Sequence, residues 1–402
     1  MTAGGLSERR LTHVRRVLVG HVERGLLPGA VTLISRKGET RVETIGAKSF
    51  DGDAMRRNTI FRITSMTKPI TAVAAMILVE ECRLRLDDPI DGFLPELTNR
   101  KVLKRLDGPL DETVPAHRSI TLRDLLTFRL GWGIVMGPSD RYPILQAIDA
   151  LGIVGFGPPR PSMVHDSDEW LKRLGSLPLM NQPGETWRYN TGSYVLGVLI
   201  ARVTGRPLET FLRERIFDPL GMVDTGFSVP AAKLDRFATS YWANGKTGNL
   251  DLHDGVADSD WAQPPAFPDG AAGLVSTVDD YGVFARMLLD KGQHGHERIL
   301  SRPSVELMTS DQLTADQKAS SGFLPGYWDH RGWGFGLSVT TGRDELSGNP
   351  GRFGWDGGFG TSWYSDPRED LTAILMTQRA EFPLMSEVYR DFWTSVYQAI
   401  DD

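Results

Sequence analysis

The N-terminal pattern of hydrophobic and polar residues predicts one helix followed by a β-hairpin. Residues 6–26 repeat apolar side chains every three or four positions, at Leu11, Val14, Leu18 and Val22, which is typical of a helix that buries one face. Two β-rich runs follow at 30–35 and 41–45, separated by Arg36-Lys37-Gly38-Glu39. A short glycine-containing turn between two such runs predicts a hairpin.

A second β-rich region lies near the other end of the chain. Its three runs are 334–340, 362–365 and 371–377, and a helical pattern follows over 385–400. We expect strands from the two ends of the chain to complete one sheet, which helices would cover.

The middle of the chain has the pattern of helices and long loops. The predicted helices are 65–81, 121–128, 194–203 and 208–216, with Thr121 as a helix N-cap and Gly205 as a helix end. The segments 135–170 and 241–270 are rich in Gly, Pro, Asp and Trp. Loops of that length usually form functional walls or mobile segments.

Composition excludes several classes of protein. A chain of 402 residues with 40% hydrophobic residues and a net charge of −6 is ordinary for a globular protein and offers no nucleic-acid surface. Cys82 is the single cysteine, so neither an internal disulfide nor a cysteine-rich metal site is expected. No apolar run approaches the ~18 residues of a membrane span, and residues 1–5 lack a secretory signal. The sequence therefore predicts a soluble cytoplasmic protein, and it carries no signal for an oligomeric state.

The first candidate for chemistry is Ser65-Met66-Thr67-Lys68. Side chains three residues apart on a helix share a face, and a serine becomes a nucleophile when a base removes its proton. A lysine serves as that base when burial lowers its pKa. The apolar residues that follow predict burial of this helix, whereas the spacing alone would equally suit a capped helix with an exposed lysine.

Two further motifs lie later in the chain. Tyr189 is in a turn-like stretch, 183–192, before a predicted helix, and a tyrosine beside a cation can relay a proton. The glycine-dense segment 354–361 allows close approach of a backbone whose N–H groups could stabilise an oxyanion. Each motif by itself is also consistent with a purely structural role. Tyr189 could be a packed loop aromatic, and the glycine-dense segment could be a tight β-turn.

Taken in this order, the motifs resemble those of the class C β-lactamase and penicillin-binding-protein superfamily of serine hydrolases, in particular its family VIII carboxylesterases. Four other segments are similar to this superfamily: 120–130, 216–225, 273–289 and 332–339. The resemblance implies an α/β (α+β) fold with a central antiparallel sheet flanked by helices. It places the sheet subdomain at 1–80 and 270–402, a mostly helical inserted subdomain at 81–269, and the active site in the cleft between them.

The resemblance also implies roles for particular residues. Ser65 matches the nucleophile, Lys68 the lysine one turn later, and Tyr189 the tyrosine of the second motif. The oxyanion hole would be the backbone N–H groups of Ser65 and Gly358. The residues predicted to bind substrate are Trp355, Asp356, Gly357, Phe359, Thr191 and Trp132, and other aromatic candidates for the pocket walls are Phe156, Trp242, Trp261 and Trp333.

Two departures from the superfamily motifs favour neutral esters over β-lactams. Thr191 stands where β-lactamases have asparagine, and Asn190 lies one place early. Trp355 stands where β-lactamases and peptidases have the Lys or His that meets a substrate carboxylate, and Asp356 beside it would repel an anion.

The sequence therefore predicts a carboxylesterase that cleaves small neutral esters through an acyl-enzyme on Ser65, with Lys68 or Tyr189 as the base. The alternatives are a β-lactamase, a D-amino peptidase or another amide hydrolase, an acyltransferase, and a non-catalytic binding relative. Neither a Gly-x-Ser-x-Gly motif nor a His-Glu-x-x-His motif occurs, so an α/β-hydrolase and a zinc hydrolase are not expected. No metal and no cofactor are predicted.

Overall fold

The computed structural model describes residues 4–163, 165–381 and 386–402. The helices, numbered α1 to α12 in chain order, are Glu8–Glu23, Thr67–Glu80, Leu122–Leu126, Pro143–Ala150, Ser167–Ser176, Thr191–Thr204, Leu208–Leu212, Asp218–Leu220, Val278–Leu289, Arg302–Met308, Ala315–Ala319 and Glu387–Gln398. The strands, numbered β1 to β16, are Gly29–Arg36, Glu39–Gly46, Phe61–Arg62, Lys101–Leu103, Thr113–Pro115, Ser240–Ala243, Leu250–Asp254, Val275–Ser276, Gln293–His294, Glu297–Arg298, Arg331–Trp333, Ser338–Thr340, Phe353–Gly357, Thr361–Asp366, Leu371–Thr377 and Arg379–Ala380.

The central sheet has seven strands in the order β11-β12-β13-β14-β15-β1-β2. Every neighbouring pair is antiparallel, and β1 from the N-terminal region lies between its hairpin partner β2 and the C-terminal β15. In this register Ala30 faces Thr377 and Arg36 faces Leu371. The two ends of the chain therefore complete one sheet, as the sequence predicts.

Helices cover both faces of this sheet. Along β1, Ala30 and Ile34 belong to the hydrophobic cluster formed with α1 and α12, whereas Val31 and Leu33 belong to the larger cluster that contains α2 and α9. Successive side chains of a strand point to opposite faces. Because both faces are packed, all eight residues of β1 are buried. The fold is thus the predicted mixed α and β architecture with helices flanking an antiparallel sheet.

Local signals in the sequence correspond closely to turns and caps in the structure. Lys37 and Gly38 both have positive φ, at 48° and 84°, and connect β1 to β2, which is the geometry of a two-residue hairpin turn. Thr121 caps α3 through a reciprocal capping box with Asp124. Gly205, with a φ of 69°, ends α6. These predictions are confirmed.

Several predictions of elements need correction. The predicted strand 334–340 is a strand only from Ser338, because 334–337 form a tight turn whose Gly336 lies against the backbone of Lys68. Strand β13, Phe353–Gly357, was expected only as a glycine-rich segment next to a strand. Segment 135–170, expected as loop, contains α4, Pro143–Ala150, and the start of α5, Ser167–Ser176. Segment 241–270, also expected as loop, contains β7, Leu250–Asp254. The last helix, expected from 385, begins at Glu387 in the structure, and Met385 lies outside the described residues.

We keep the division into a sheet subdomain, 1–80 with 270–402, and a mostly helical inserted subdomain, 81–269, as a proposal. Residues 1–3, 164 and 382–385 lie outside the described ranges. Helix α2 joins the two parts, because it packs against α6 and α7 while the residues before it contact β13 and β14.

Candidate active site

Ser65 lies in a tight turn that leads into α2. A single 3₁₀ turn covers Thr64–Met66, and the α-helix begins at Thr67. Thr64 has a φ of 40°, a conformation that is costly for a β-branched residue. Strained backbone of this kind is concentrated at functional sites. The turn leaves Ser65 half-buried beside a cleft, whereas Met66 and Thr67 are buried.

Lys68 extends from the first turn of α2 to the Ser65 side chain. Its Nζ lies 2.9 Å from Ser65 Oγ and donates a hydrogen bond of 2.9 Å to the Ala271 carbonyl oxygen. The side chain is 0% exposed. Burial lowers the pKa of Lys68 from its ordinary 10.5 to about 7, and the Asp269 carboxylate opposes part of that fall. A neutral amine, able to accept a proton from Ser65, is therefore accessible near neutral pH.

Asp269 is a buried carboxylate behind this lysine. Its Oδ1 accepts hydrogen bonds from the backbone N–H groups of Ala271 and Ala272, at 2.6 and 3.1 Å. Ala271 thus connects the two side chains, because its N–H donates to the Asp269 carboxylate and its C=O accepts from Lys68. Burial raises the pKa of Asp269, and the hydroxyl of Tyr194 lies against it. This charge sits close enough to Lys68 to influence its protonation.

Tyr189 approaches the same serine from the loop before α6. Its ring lies 4.7 Å from Lys68 Nζ, and its hydroxyl interacts with the Ser65 side chain. Trp355 Nε1 donates a hydrogen bond of 2.7 Å to the Tyr189 hydroxyl. Burial raises the pKa of Tyr189 above its ordinary value, and the contacts with Ser65 and Trp355 only partly oppose this shift. Tyr189 therefore holds its proton at neutral pH.

Strand β13 brings the third motif beside Ser65. A Cβ atom on Gly357 would collide with the Ile63 carbonyl oxygen and the Thr361 side chain, so only glycine allows β13 to approach the turn this closely. Ser65 and Gly358 border the same two cavities. The two residues predicted to form the oxyanion hole therefore line the same cleft.

Two cavities meet at Ser65 and Tyr189. The larger, of about 190 Å³, is also bordered by Trp355, Asp356 and Gly357. The other residues that line it are Gly358, Phe323, Leu324, Tyr327, Arg331, Tyr364, Glu381 and Tyr389. The smaller, of about 40 Å³, is bordered by Phe359, Trp242 and Asn190 together with Ile134 and residues 157–159. The structure therefore places most of the predicted substrate-binding residues at the cleft.

Some predicted pocket residues lie elsewhere. Trp132 is fully buried and donates a hydrogen bond to the Pro178 carbonyl oxygen. The Thr191 hydroxyl donates to the Gly155 carbonyl oxygen, 3.1 Å away, inside the protein. Trp261 and Trp333 are buried in aromatic clusters, and Phe156 packs against the main core. These five side chains do not border either cavity at Ser65.

Several residues at the site were not singled out by sequence reasoning. Asp269 lies beside Lys68 although about 200 residues separate them along the chain, and Tyr194 of α6 lies against Asp269. Arg331 and Tyr327 reach the larger cavity from the edge of the sheet. No local pattern marks these residues, because only the tertiary packing brings them to the site.

Within the described ranges, no group of three or more His, Cys, Asp or Glu side chains is arranged to hold a metal ion. In the same part of the chain, no helix combines the length and the apolar character needed to cross a membrane.

Comparisons with known proteins show the family and the fold of this chain. A family model described as Beta-lactamase matches residues 14–392. Protein Rv1367c of Mycobacterium tuberculosis (strain ATCC 25618 / H37Rv) is 41% identical over 363 residues, which cover 88% of this chain and 86% of that protein. Esterase EstB of Burkholderia gladioli is 32% identical over 378 residues, again covering 88% and 86%. The solved structure of EstCE1, a hydrolase with promiscuous acyltransferase activity, has a TM-score of 0.79 at 24% identity and covers 98% of both chains.

The fold is that of the β-lactamase-like serine hydrolases. The chain belongs to the β-lactamase family, and it is an enzyme of the serine hydrolase class. The similarity to EstB confirms the predicted closeness to carboxylesterases.

Proposed function

We propose that this protein is a carboxylesterase that cleaves small neutral esters through an acyl-enzyme on Ser65. The observation that carries the proposal is the contact of 2.9 Å between Ser65 Oγ and a fully buried Lys68 whose pKa burial lowers to about 7. The similarity to an esterase, EstB, over most of both chains supports the choice of an ester as substrate.

In the first step, neutral Lys68 accepts the Ser65 proton as Oγ attacks the ester carbonyl carbon. Lys68 is a better candidate for this base than Tyr189, because burial keeps the tyrosine protonated. The Lys68 amine can still donate one N–H to the Ala271 carbonyl oxygen while it accepts the serine proton. The oxyanion that forms would lie between the N–H groups of Ser65 and Gly358, and one such donor typically contributes about 3–4 kcal/mol.

Tyr189 then donates its proton to the leaving alkoxide. Its hydroxyl faces Ser65, and the Trp355 indole N–H would stabilise the phenolate that results. Lys68 and Tyr189 act as a coupled pair. In the second half of the reaction, the Tyr189 phenolate would take a proton from the water that attacks the acyl carbon, and Lys68 would return its proton to Ser65 Oγ as the acyl group leaves.

The cavity lining favours a small and neutral substrate. A cavity of about 190 Å³ is below the roughly 300–1,000 Å³ of sites for drug-sized ligands. Trp355 provides no cation for a substrate carboxylate. Two carboxylates, Asp356 and Glu381, border the cavity beside one guanidinium, Arg331. Because Glu381 is paired with Arg379, Asp356 is the carboxylate that would disfavour a substrate anion here.

A panel of p-nitrophenyl esters from acetate to hexanoate, assayed beside nitrocefin, tests this function. We expect ester hydrolysis with kcat/KM at least about 100-fold above that for nitrocefin, since Asp356 beside Arg331 disfavours the lactam carboxylate. Rapid nitrocefin turnover with inert esters would instead identify a β-lactamase.

Replacing Tyr189 with phenylalanine should slow ester hydrolysis by a factor that depends on the leaving group. For butyl acetate, whose alkoxide needs a proton, we expect kcat/KM to fall by about 10²–10⁴-fold. For p-nitrophenyl acetate the fall should be much smaller, because p-nitrophenolate leaves without protonation. Trp355→Phe, which removes the hydrogen bond to Tyr189 but keeps an aromatic ring against Tyr189 and Trp333, is the matched control with an intermediate effect. Equal losses for both esters in Tyr189→Phe would contradict the role of Tyr189 as the acid.

A further inference from the structure

The larger cavity at Ser65 contains a guanidinium whose hydrogen-bonding capacity is almost unused. Arg331 lies on β11, at the edge of the central sheet, and borders the cavity together with Ser65. Its side chain is 25% exposed. Among the described residues its one ion-pair contact is with Asp344 at 4.0 Å, which is too long for a hydrogen bond. No hydrogen-bond acceptor of the described chain satisfies its N–H groups.

The other polar side chains in this lining already have partners. Tyr364 donates to Asp356, at 3.0 Å, and Tyr389 donates to the Gly357 carbonyl oxygen, at 2.9 Å. Asp356 accepts a second hydrogen bond, of 2.5 Å, from Ser362. The Tyr327 hydroxyl is directed at Ser338, 3.4 Å away. Arg331 is thus the donor in this lining that is left for a ligand.

The surroundings of Arg331 indicate which acceptor fits. The Asp356 and Glu381 carboxylates border the same cavity, and Glu381 is already paired with Arg379 at 2.8 Å. A carboxylate in the ligand would gain Arg331 but meet Asp356. A neutral carbonyl oxygen accepts the same hydrogen bond without that repulsion, and the aromatic rings of Tyr327 and Phe323 leave room for a short apolar spacer.

We propose that Arg331 binds a neutral carbonyl oxygen at the far end of the substrate, so that the preferred esters carry a ketone or amide a few bonds from the scissile ester group. This inference rests on the proposed esterase function and refines its substrate class. Arg331 would act as a specificity determinant that takes no part in the bond-breaking steps.

The test compares two esters that differ by a single carbonyl group, p-nitrophenyl pentanoate and p-nitrophenyl 4-oxopentanoate. Wild-type enzyme should favour the oxo ester by about tenfold in kcat/KM, the effect expected of a hydrogen bond to a charged donor. In Arg331→Met the ratio of the two kcat/KM values should fall to about one. Arg343→Met, which removes an exposed arginine outside the cavity lining, is the matched control and should keep the wild-type ratio.

A second pair, butyl acetate and 3-oxobutyl acetate, places the carbonyl in the alcohol half and shows which half of the ester meets Arg331. A preference in either pair that depends on Arg331 supports the proposal. No preference in either pair by the wild-type enzyme would overturn it, whether or not Arg331→Met folds, and so would a ratio that survives in Arg331→Met. Preference for a monosuccinate ester over the 4-oxopentanoate ester would replace the neutral acceptor with a carboxylate. If the wild-type enzyme hydrolyses none of these esters, the result would count against the esterase function itself.

Discussion

Replacing Ser65 with alanine should abolish ester hydrolysis, with a loss of about 10⁴-fold or more in kcat. Removal of the nucleophile from a serine hydrolase leaves only the rate enhancement that substrate binding and oxyanion stabilisation provide. The Ser65 side chain is half-buried at the cleft, where it contacts Lys68 and the Tyr189 hydroxyl. The variant should therefore fold normally, which circular dichroism and the midpoint of thermal unfolding would check.

Covalent labelling tests whether the loss of activity is due to removal of the nucleophile itself. A fluorescent alkyl phosphonate should attach to wild-type enzyme at Ser65, as located by mass spectrometry of peptides, and should not attach to Ser65→Ala. Labelling of a different serine, or normal turnover by the variant, would remove Ser65 from the mechanism. Failure of the folded wild-type enzyme to react at all would revive the alternative of a non-catalytic binding relative.

Replacing Lys68 should have the second largest effect, a loss of about 10³–10⁴-fold in kcat/KM for both Lys68→Met and Lys68→Arg. Methionine has no basic nitrogen, and arginine stays protonated at all accessible pH values, so neither can accept the Ser65 proton. Stability should respond differently. An apolar methionine avoids the desolvation of a buried amine but leaves Asp269 and the Ala271 carbonyl oxygen without their partner. Lys68→Met should therefore be modestly destabilised, and Lys68→Arg should be destabilised more by its permanent buried charge.

The pH dependence of wild-type activity checks the same assignment. Because burial lowers the pKa of Lys68 to about 7, kcat/KM should fall as the pH decreases below about 7 and Lys68 gains a proton. The Asp269 carboxylate raises that pKa, so Asp269→Asn should move this acid limb to lower pH. A profile that stays flat from about pH 8 down to about pH 5 would show that Lys68 is not the titrating base.

The sequence was sufficient for the elements whose signals are local. Hydrophobic spacing identified α1 and the strands β1, β2, β14 and β15. The turn at Lys37-Gly38 identified the hairpin formed by β1 and β2. Strand β13 was harder, because its two glycines and Asp356 look like a turn, and the tight turn at 334–337 looked like a strand. In both segments the backbone conformation is imposed by close packing against the Ser65 turn and α2, which spacing along the chain does not reveal.

The candidate site divides in the same way. The sequence by itself determined the family, and it identified Ser65, Lys68, Tyr189 and the Gly357 region, because these lie in short motifs whose spacing is set by one helical turn, one loop and one strand. Only the tertiary structure decided the surroundings. It buried Lys68 beside Asp269, turned Trp355 towards the Tyr189 hydroxyl, placed Trp132 and Thr191 away from the cleft, and brought Arg331 to the cavity. Burial, pKa and pocket shape are properties of contacts between distant segments, and each residue type can occur in the core or in a site until the fold brings its neighbours together.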